Sequence, residues 1–442
     1  MTVLRKILAA ALVAAAAVGP VLGAETQPAK EAAVVHRVED PVTTVAQPKE
    51  AFGLGLEAKR PADKVRWYTR TIELDPKMVE AYNNRGSAYF YSGKYDEAIA
   101  DYTQAISMDP NRPQSYCNRG GAYLRKGEYD RAIQDCTRAV ELDPKLAQAY
   151  DNRALAYRKK GDEKQAIRDY TKAIVVAPRF ARAYECRGGC HYALGDYGRA
   201  IADFSQALRL EPARAQTYDF RGRAYYRKDD CERAIYDFTT AIERDPNMAE
   251  AYSNRGLALA RKGLYDRAIR DHTKAMELGS TGRPERLWRG WAFFNDRRFA
   301  EAIPDFAHHV KLMPKDPYGH LGLYLARTRA GKGGKADLAA FRKRQGPGKD
   351  DEWPTPVVRM YLGEITPQEC LAAAADEVPK RDAQEKSEAC YYIGLIYLLR
   401  GDRRTARRCF RWCLAAKQWD LVEYTGAQAE LRWIDEQGVQ HP

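Results

Sequence analysis

The sequence predicts an all-α fold, a right-handed solenoid of stacked helical hairpins, on three observations. First, the turn pairs Asp75-Pro76, Asp109-Pro110, Asp143-Pro144, Ala177-Pro178, Glu211-Pro212 and Asp245-Pro246 recur every 34 residues. Second, the residues between the turns repeat in register. Ala81-Tyr82, Asn84-Arg85-Gly86, Ala88-Tyr89, Gly93, Tyr95, Ala98-Ile99, Tyr102 and Ala105-Ile106 return as Ser115-Tyr116, Asn118-Arg119-Gly120, Ala122-Tyr123, Gly127, Tyr129, Ala132-Ile133, Cys136 and Ala139-Val140. Third, Tyr82, Gly86 and Tyr89 stand at i, i+4, i+7, one face of a helix, and Ala98, Tyr102 and Ala105 do the same for a second helix.

Residues 1–24 read as a Sec-type signal peptide. Arg5 and Lys6 precede 12 apolar residues, Ile7 to Val18, then Gly19-Pro20 and the small residues Val21-Leu22-Gly23-Ala24. The run is shorter than the roughly 20 residues of a membrane span, which favours a cleaved leader over an anchor. The expected compartment is therefore extracytoplasmic or periplasmic, with the mature chain soluble. Residues 25–50, polar and Pro-containing, read as a flexible linker. Residues 51–78 read as a degenerate N-terminal repeat that keeps Tyr68 and Pro76 but has Lys64 where a small residue is expected.

Seven units then follow without insertion over 79–316. Gly93 ends the first helix of a unit and Pro110 closes it. Gly86 and Ala98 are small enough for the two helices to approach closely, and the Tyr side chains fill the space between hairpins. A lone hairpin cannot bury both faces, so stacking is required. Residues 317–345 read as an eroded repeat, 346–386 as an irregular insertion opened by Gly346-Pro347-Gly348, 387–420 as a C-terminal repeat-like unit, and 421–442 as a capping helix and tail.

With Val79 as position 1, Tyr82 is at 4, Gly86 at 8, Tyr89 at 11, Ala98 at 20, Tyr102 at 24, Ala105 at 27 and Pro110 at 32. This pattern resembles the tetratricopeptide repeat (TPR) family. A second resemblance covers the C-terminal part. Asp316-Pro317-Tyr318, Leu323-Tyr324-Leu325-Ala326, Trp353-Pro354-Thr355-Pro356, Tyr361-Leu362-Gly363-Glu364-Ile365-Thr366, Cys390-Tyr391-Tyr392-Ile393-Gly394, Tyr397-Leu398-Leu399-Arg400-Gly401-Asp402, Val422-Glu423-Tyr424 and Ala429-Glu430-Leu431 occur in that order. The run is similar to the tail of the bacterial envelope lipoprotein NlpI family. That resemblance implies a non-catalytic, homodimeric periplasmic adaptor that docks envelope proteases and peptidoglycan hydrolases. The sequence departs from the family in lacking a lipid-bearing Cys near its start, since its first Cys is Cys117, and in its longer central array.

Composition bears on the partner. Lys plus Arg number 72 against 60 Asp plus Glu, a formal net charge of +12. A basic surface is what nucleic acid demands, but export removes that partner and leaves protein or peptide partners, with an anionic envelope polymer or membrane as the alternative. Catalytic chemistry is not expected. No Gly-x-x-x-x-Gly-Lys-Ser/Thr loop, Gly-x-Ser-x-Gly elbow or His-Glu-x-x-His frame occurs. No metal or cofactor is expected either. The nine Cys include core substitutes such as Cys136 and Cys190. Cys390 at position 4 and Cys413 at position 27 face each other across a hairpin, where a disulfide and packed thiols are both open readings.

Two rows of charge stand out. Position 7 is Arg85, Arg119, Arg153, Arg187, Arg221, Arg255 and Arg289; position 23 is Asp101, Asp135, Asp169, Asp203, Asp237, Asp271 and Asp305. Each Arg precedes its Asp by 16 residues, which favours a structural Arg–carboxylate ladder over ligand binding by the Arg row. In the TPR family, partners are held by the inner face of the first helices. Positions 12 and 13 there supply Phe90, Tyr91, Arg125, Arg158, Lys159, Tyr192, Tyr226, Arg227, Arg261 and Phe294. Cations among aromatic faces suit extended peptides with acidic or C-terminal carboxylate groups. The clamp of chaperone-binding members, with Lys and Asn at positions 5 and 9, is not supplied.

Overall fold

The computed structural model describes residues 41–280, 285–346, 352–375, 379–416 and 422–440, so the residues expected to form a leader and most of those expected to form a linker lie outside it. The seven repeats are antiparallel helix pairs. Val79–Tyr91 pairs with Tyr95–Met108, Pro113–Lys126 with Tyr129–Leu142, Ala147–Lys159 with Glu163–Val176, and Ala181–Ala193 with Tyr197–Leu210. Ala215–Arg227 pairs with Cys231–Arg244, Ala249–Arg261 with Tyr265–Glu277, and Glu285–Asn295 with Phe299–Leu312. The second helices of repeats three, four and five are capped by Asp162, Asp196 and Asp230, whose carboxylates each accept from a backbone N–H three residues on.

The turn inside each hairpin requires a left-handed residue, and Gly93, Gly127, Gly161 and Gly195 supply it at φ of 76–82°. In repeats five and seven the same place is held by Asp229 (φ 62°) and Arg297 (φ 61°), at a backbone cost of roughly 1–2 kcal/mol each. The packing of position 8 against position 24 is equally specific. A Cβ on Gly86 would stand 2.8 Å from the ring of Tyr102, which is 2% exposed.

Three boundaries differ from the sequence expectation. The degenerate repeat starts at Pro48, not residue 51: Pro48–Glu57 is helical, as is Pro41–Thr44 within the expected linker. Proline is well placed in a helical first turn, and Ala51 and Gly55 of Pro48–Glu57 are buried, with Gly55 against Tyr68. The expected insertion contains the helices Thr355–Leu362 and Pro367–Ala373 and the start of Pro379–Leu399. Val357, Val358, Met360, Tyr361 and Cys370 from that segment are buried, and a Thr366/Glu369 capping box starts its second helix. The last hairpin, Pro379–Leu399 with Arg403–Ala415, therefore begins before residue 387.

Repeats one to six hold small separate cores. From Trp291 to Ile434 the buried residues merge into one core joining the last repeat to the C-terminal helices. The final helix, Val422–Gln440, packs on the last hairpin and also against the first helix of repeat seven. Its Glu430 accepts hydrogen bonds from Arg297 (3.0 Å) and Arg329 (3.2 Å). Trp433 lies 4.0 Å under the Arg297 guanidinium, and Arg432 donates to the Tyr265 hydroxyl at 3.1 Å. Beyond capping the stack, this helix reaches back to repeats six and seven.

Candidate partner-binding face

The ladder residues fix the frame on which the face sits. In every repeat the Arg at position 7 grips the Asp of its own hairpin with two bonds, Nε to Oδ2 and Nη2 to Oδ1, all 2.7–2.8 Å. Its Nη1 donates to a hydroxyl of the preceding hairpin at 2.9–3.2 Å, from Thr69, Thr103, Thr137, Thr171, Ser205, Thr239 and Thr273 in turn. Each guanidinium thus ties two helices of one hairpin and that hairpin to its neighbour. In repeats one to six it also lies 5.6–5.8 Å from the Tyr ring at position 4. The carboxylate bonds hold Arg85, Arg119, Arg153, Arg187 and Arg255 above the ordinary guanidinium value, against the opposing effect of burial.

The ten residues expected on the inner face separate into two groups. Toward the N-terminus the face is open. Tyr91 is 79% exposed, and Arg125, Arg158 and Lys159 are exposed. The Arg125 guanidinium lies 5.6 Å from the Tyr95 ring, and that of Arg158 lies against Gly189 of the next repeat. Phe90 is half-buried, packed edge-on against Tyr91 and Tyr95. Tyr192, Tyr226 and Arg227 are half-buried further along.

Arg261 and Phe294 are not on an open groove. Arg261 is buried: its guanidinium lies 3.7 Å over the Tyr226 ring, donates to the Tyr226 carbonyl at 3.1 Å and meets Asp229 at 3.5 Å. Tyr424 of the final helix stands beside that pair; burial, then the Asp229 charge, raises its phenol above the ordinary value. Phe294 is 1% exposed, inside the core that the final helix shares. A helix from the far end of the chain closes this stretch, which a unit-by-unit reading could not supply.

Where the open face meets the final helix lies a cavity of about 270 Å³, lined among others by Arg223, Tyr226, Trp288 and Trp291, with Val422 and Thr425 of the final helix forming one wall. Arg223 sits at position 9 of its unit, an inner-face position whose residues were not read in the sequence.

Of the two readings left open for Cys390 and Cys413, the structure has the packed thiols: both are free and buried. Ser387, one turn before Cys390, is the residue that meets Cys413, with its hydroxyl 3.2 Å from the Cys413 carbonyl and 3.4 Å from its sulfur. Burial raises both thiols above their ordinary value, to about 12. Among the described residues no cluster of His, Cys, Asp and Glu could hold a metal, and no helix is long and apolar enough to cross a membrane.

Family models described as tetratricopeptide repeat match residues 67–100, 113–146, 152–215 and 221–281, and one described as TPR repeat matches 86–127. Among solved structures, MamA is 26% identical, with a TM-score of 0.35, over 37% of this chain and 96% of its own. A tetratricopeptide repeat protein from Parabacteroides merdae is 20% identical, with a TM-score of 0.42, over 55% of this chain and 97% of its own. YrrB, described as a TPR protein with an unusual peptide-binding site, is 21% identical, with a TM-score of 0.36, over 42% of this chain and 95% of its own. Repeats of this kind build scaffolds suited to protein–protein interaction. With helix pairs in the 34-residue register and family matches spread over residues 67–281, this part of the chain is built of tetratricopeptide repeats.

Proposed function

We propose that this protein is a non-enzymatic, exported scaffold of the cell envelope, an adaptor of the NlpI type, that holds protein or peptide partners on the inner face of its first four repeats. The observation that carries this reading is the open row of Tyr91, Arg125, Arg158 and Lys159 on successive first helices. The row stands on a frame whose own Arg side chains are engaged by Asp and Thr, so its exposed cations are additional to those that hold the fold together. The leader-like residues 1–24 and the order of C-terminal motifs support the envelope assignment. Envelope proteases and peptidoglycan hydrolases are the partners it suggests, with a homodimer as the assembly.

The mechanism is presentation. A rigid curved surface holds an acidic or carboxylate-bearing segment on one face while the C-terminal core offers a second surface. The test reverses Arg125, Arg158 and Lys159 to Glu together and compares proteins cross-linked to the variant in intact cells with those of the wild type. Loss of particular partners is expected; an unchanged partner list removes this face as the docking surface. Binding to anionic polymer that falls steeply with salt, with no protein cross-linked, supports the polymer alternative.

A further inference from the structure

The second helix of the last hairpin, Arg403–Ala415, departs from its counterparts in the seven repeats. It carries Arg403, Arg404, Arg407, Arg408 and Arg411 and no acidic residue. The ladder does not absorb these cations, because positions 7 and 23 of this unit are Ile393 and Cys409. Position 25 supplies the hydroxyl that receives the next unit's Arg in repeats one to six; here it is Arg411. Position 26 is polar in every repeat, from Gln104 to His308; here it is Trp412.

Packing sorts the helix into three faces. Ala406, Phe410 and Cys413 are buried in the C-terminal core. Arg403 and Arg407 flank the final helix: the Arg403 guanidinium lies 5.3 Å from the Trp433 ring, and Arg407 pairs with Asp435 at 2.5 Å. Arg404, Arg408, Arg411 and Trp412 make up the outward face, within an arc of about 100° at 3.6 residues per turn. The three arginines are exposed, and Trp412 is 50% exposed. None of the three makes an ion pair among the described residues. Asp402, the acid nearest in sequence, is engaged as the N-cap, accepting from the Thr405 N–H at 3.0 Å, so it offsets one of these charges at most.

Shape and chemistry together select the partner. One side of a single helix is convex and offers no groove for an extended segment. From Arg404 to Trp412 the face runs about 12 Å along the axis, so a flat surface meets all four side chains at once. Arginine presents planar donors that suit phosphate oxygens. Tryptophan has its preferred place at the boundary between headgroups and acyl chains. A basic helical face with an aromatic beside it is the pattern of a helix that lies on a membrane.

We propose that this face rests on an anionic phospholipid surface, with Arg404, Arg408 and Arg411 on headgroup phosphates and the Trp412 indole at headgroup level. The helix lies on the surface rather than entering it, since its outward face carries a single large apolar side chain. This contact is separate from the inner face of the first four repeats and leaves that face free for a partner.

The test floats the full-length chain with vesicles of phosphatidylcholine alone or with about one-third phosphatidylglycerol. Every sample keeps residues 1–24, so any contribution of that segment cancels between variant and wild type. Binding to the anionic vesicles at least tenfold tighter than to the neutral ones is expected, and it weakens as salt is raised. Arg404→Gln, Arg408→Gln and Arg411→Gln together lower it about a hundredfold, at about fivefold for each basic residue. Trp412→Ala lowers it about threefold to tenfold, and Trp412→Tyr, another interfacial aromatic, recovers most of that loss. Arg125→Gln with Lys159→Gln, on the inner face, changes it less than twofold. Unchanged far-UV circular dichroism qualifies each variant. Equal binding to both vesicles, a triple variant that floats like the wild type, or an equal loss from the inner-face variant overturns the proposal. So does a triple variant that keeps its vesicle binding but loses a cross-linked protein, which makes the face a protein interface. The inner-face reading is decided separately, by the partner list of its own variant.

Discussion

Replacing Arg153 by Leu tests the ladder. The Arg153 side chain is 17% exposed and that of Asp169 9%. The substitution removes bonds of 2.7 and 2.8 Å to Asp169 and one of 3.1 Å to Thr137. Its main cost is the Asp169 carboxylate left largely enclosed without a partner. Breaking a fully buried pair from one side costs about 3–5 kcal/mol; with the pair's edge reaching solvent, we expect about 2–3 kcal/mol. A long repeat array does not unfold in two states, so the readout is native-state hydrogen exchange in Ala147–Lys159 and Glu163–Val176. At about 1.4 kcal/mol per factor of ten, exchange there rises roughly 30- to 150-fold. Arg153→Leu combined with Asp169→Ala removes the stranded charge and recovers most of the loss. Peptide affinity stays at the wild-type value in both. If the double variant costs as much as the single one, or exchange moves less than twofold, the enclosed-carboxylate reasoning is wrong.

Two further predictions concern the final helix. Glu423 is buried at its start, accepts from the Tyr392 hydroxyl at 2.8 Å, and is pushed by burial, then by the Glu388 charge, from 4.5 up to about 8. A carboxyl that keeps its proton when folded loses stability as pH rises. Below 4.5 both states are protonated; from there to about 8 only the unfolded state ionises, at roughly 1.4 kcal/mol per pH unit, and above 8 the effect is constant. Hydrogen exchange of Val422–Gln440, followed from about pH 5 to about pH 9, should steepen with pH in the wild type and flatten in Glu423→Gln; equal slopes refute this. Second, Glu430→Ala strands the Arg297 and Arg329 guanidinia, with a cost of about 3 kcal/mol. Limited proteolysis then cuts within Val422–Gln440 while the first four repeats keep wild-type protection; cleavage spread evenly over the molecule contradicts a local docking role.

The repeat register was legible because its determinants are local. Gly86 facing Tyr102, the turn glycines and the Asp-Pro stops each act within one unit, so spacing alone reveals them. The Arg–Asp pairs were legible for the same reason, being 16 residues apart in every copy. What the sequence hid depends on closure over distance. The bond from Arg297 to Glu430 spans 133 residues and joins two residue types that a linear reading assigns to solvent. Hence Arg261 and Phe294 were placed on an open face. The one available signal was Arg297 itself, at a turn position that is glycine in every other unit but the fifth, where a long charged side chain needs a reason to be.

The ladder also has a direction. Each unit carries the Arg and Asp that close it and the hydroxyl that receives the next unit's Arg. One 34-residue module can therefore be duplicated or deleted among the first four repeats with every donor and acceptor still matched. Repeats six and seven are not interchangeable in this way. Tyr265 and Arg297 meet Arg432 and Glu430 of the same returning helix, so losing or adding a module there would move one anchor a full hairpin away from its partner. Change in array length is thus confined to the end that presents the open face: the reach of the scaffold can vary while the closed end stays constant.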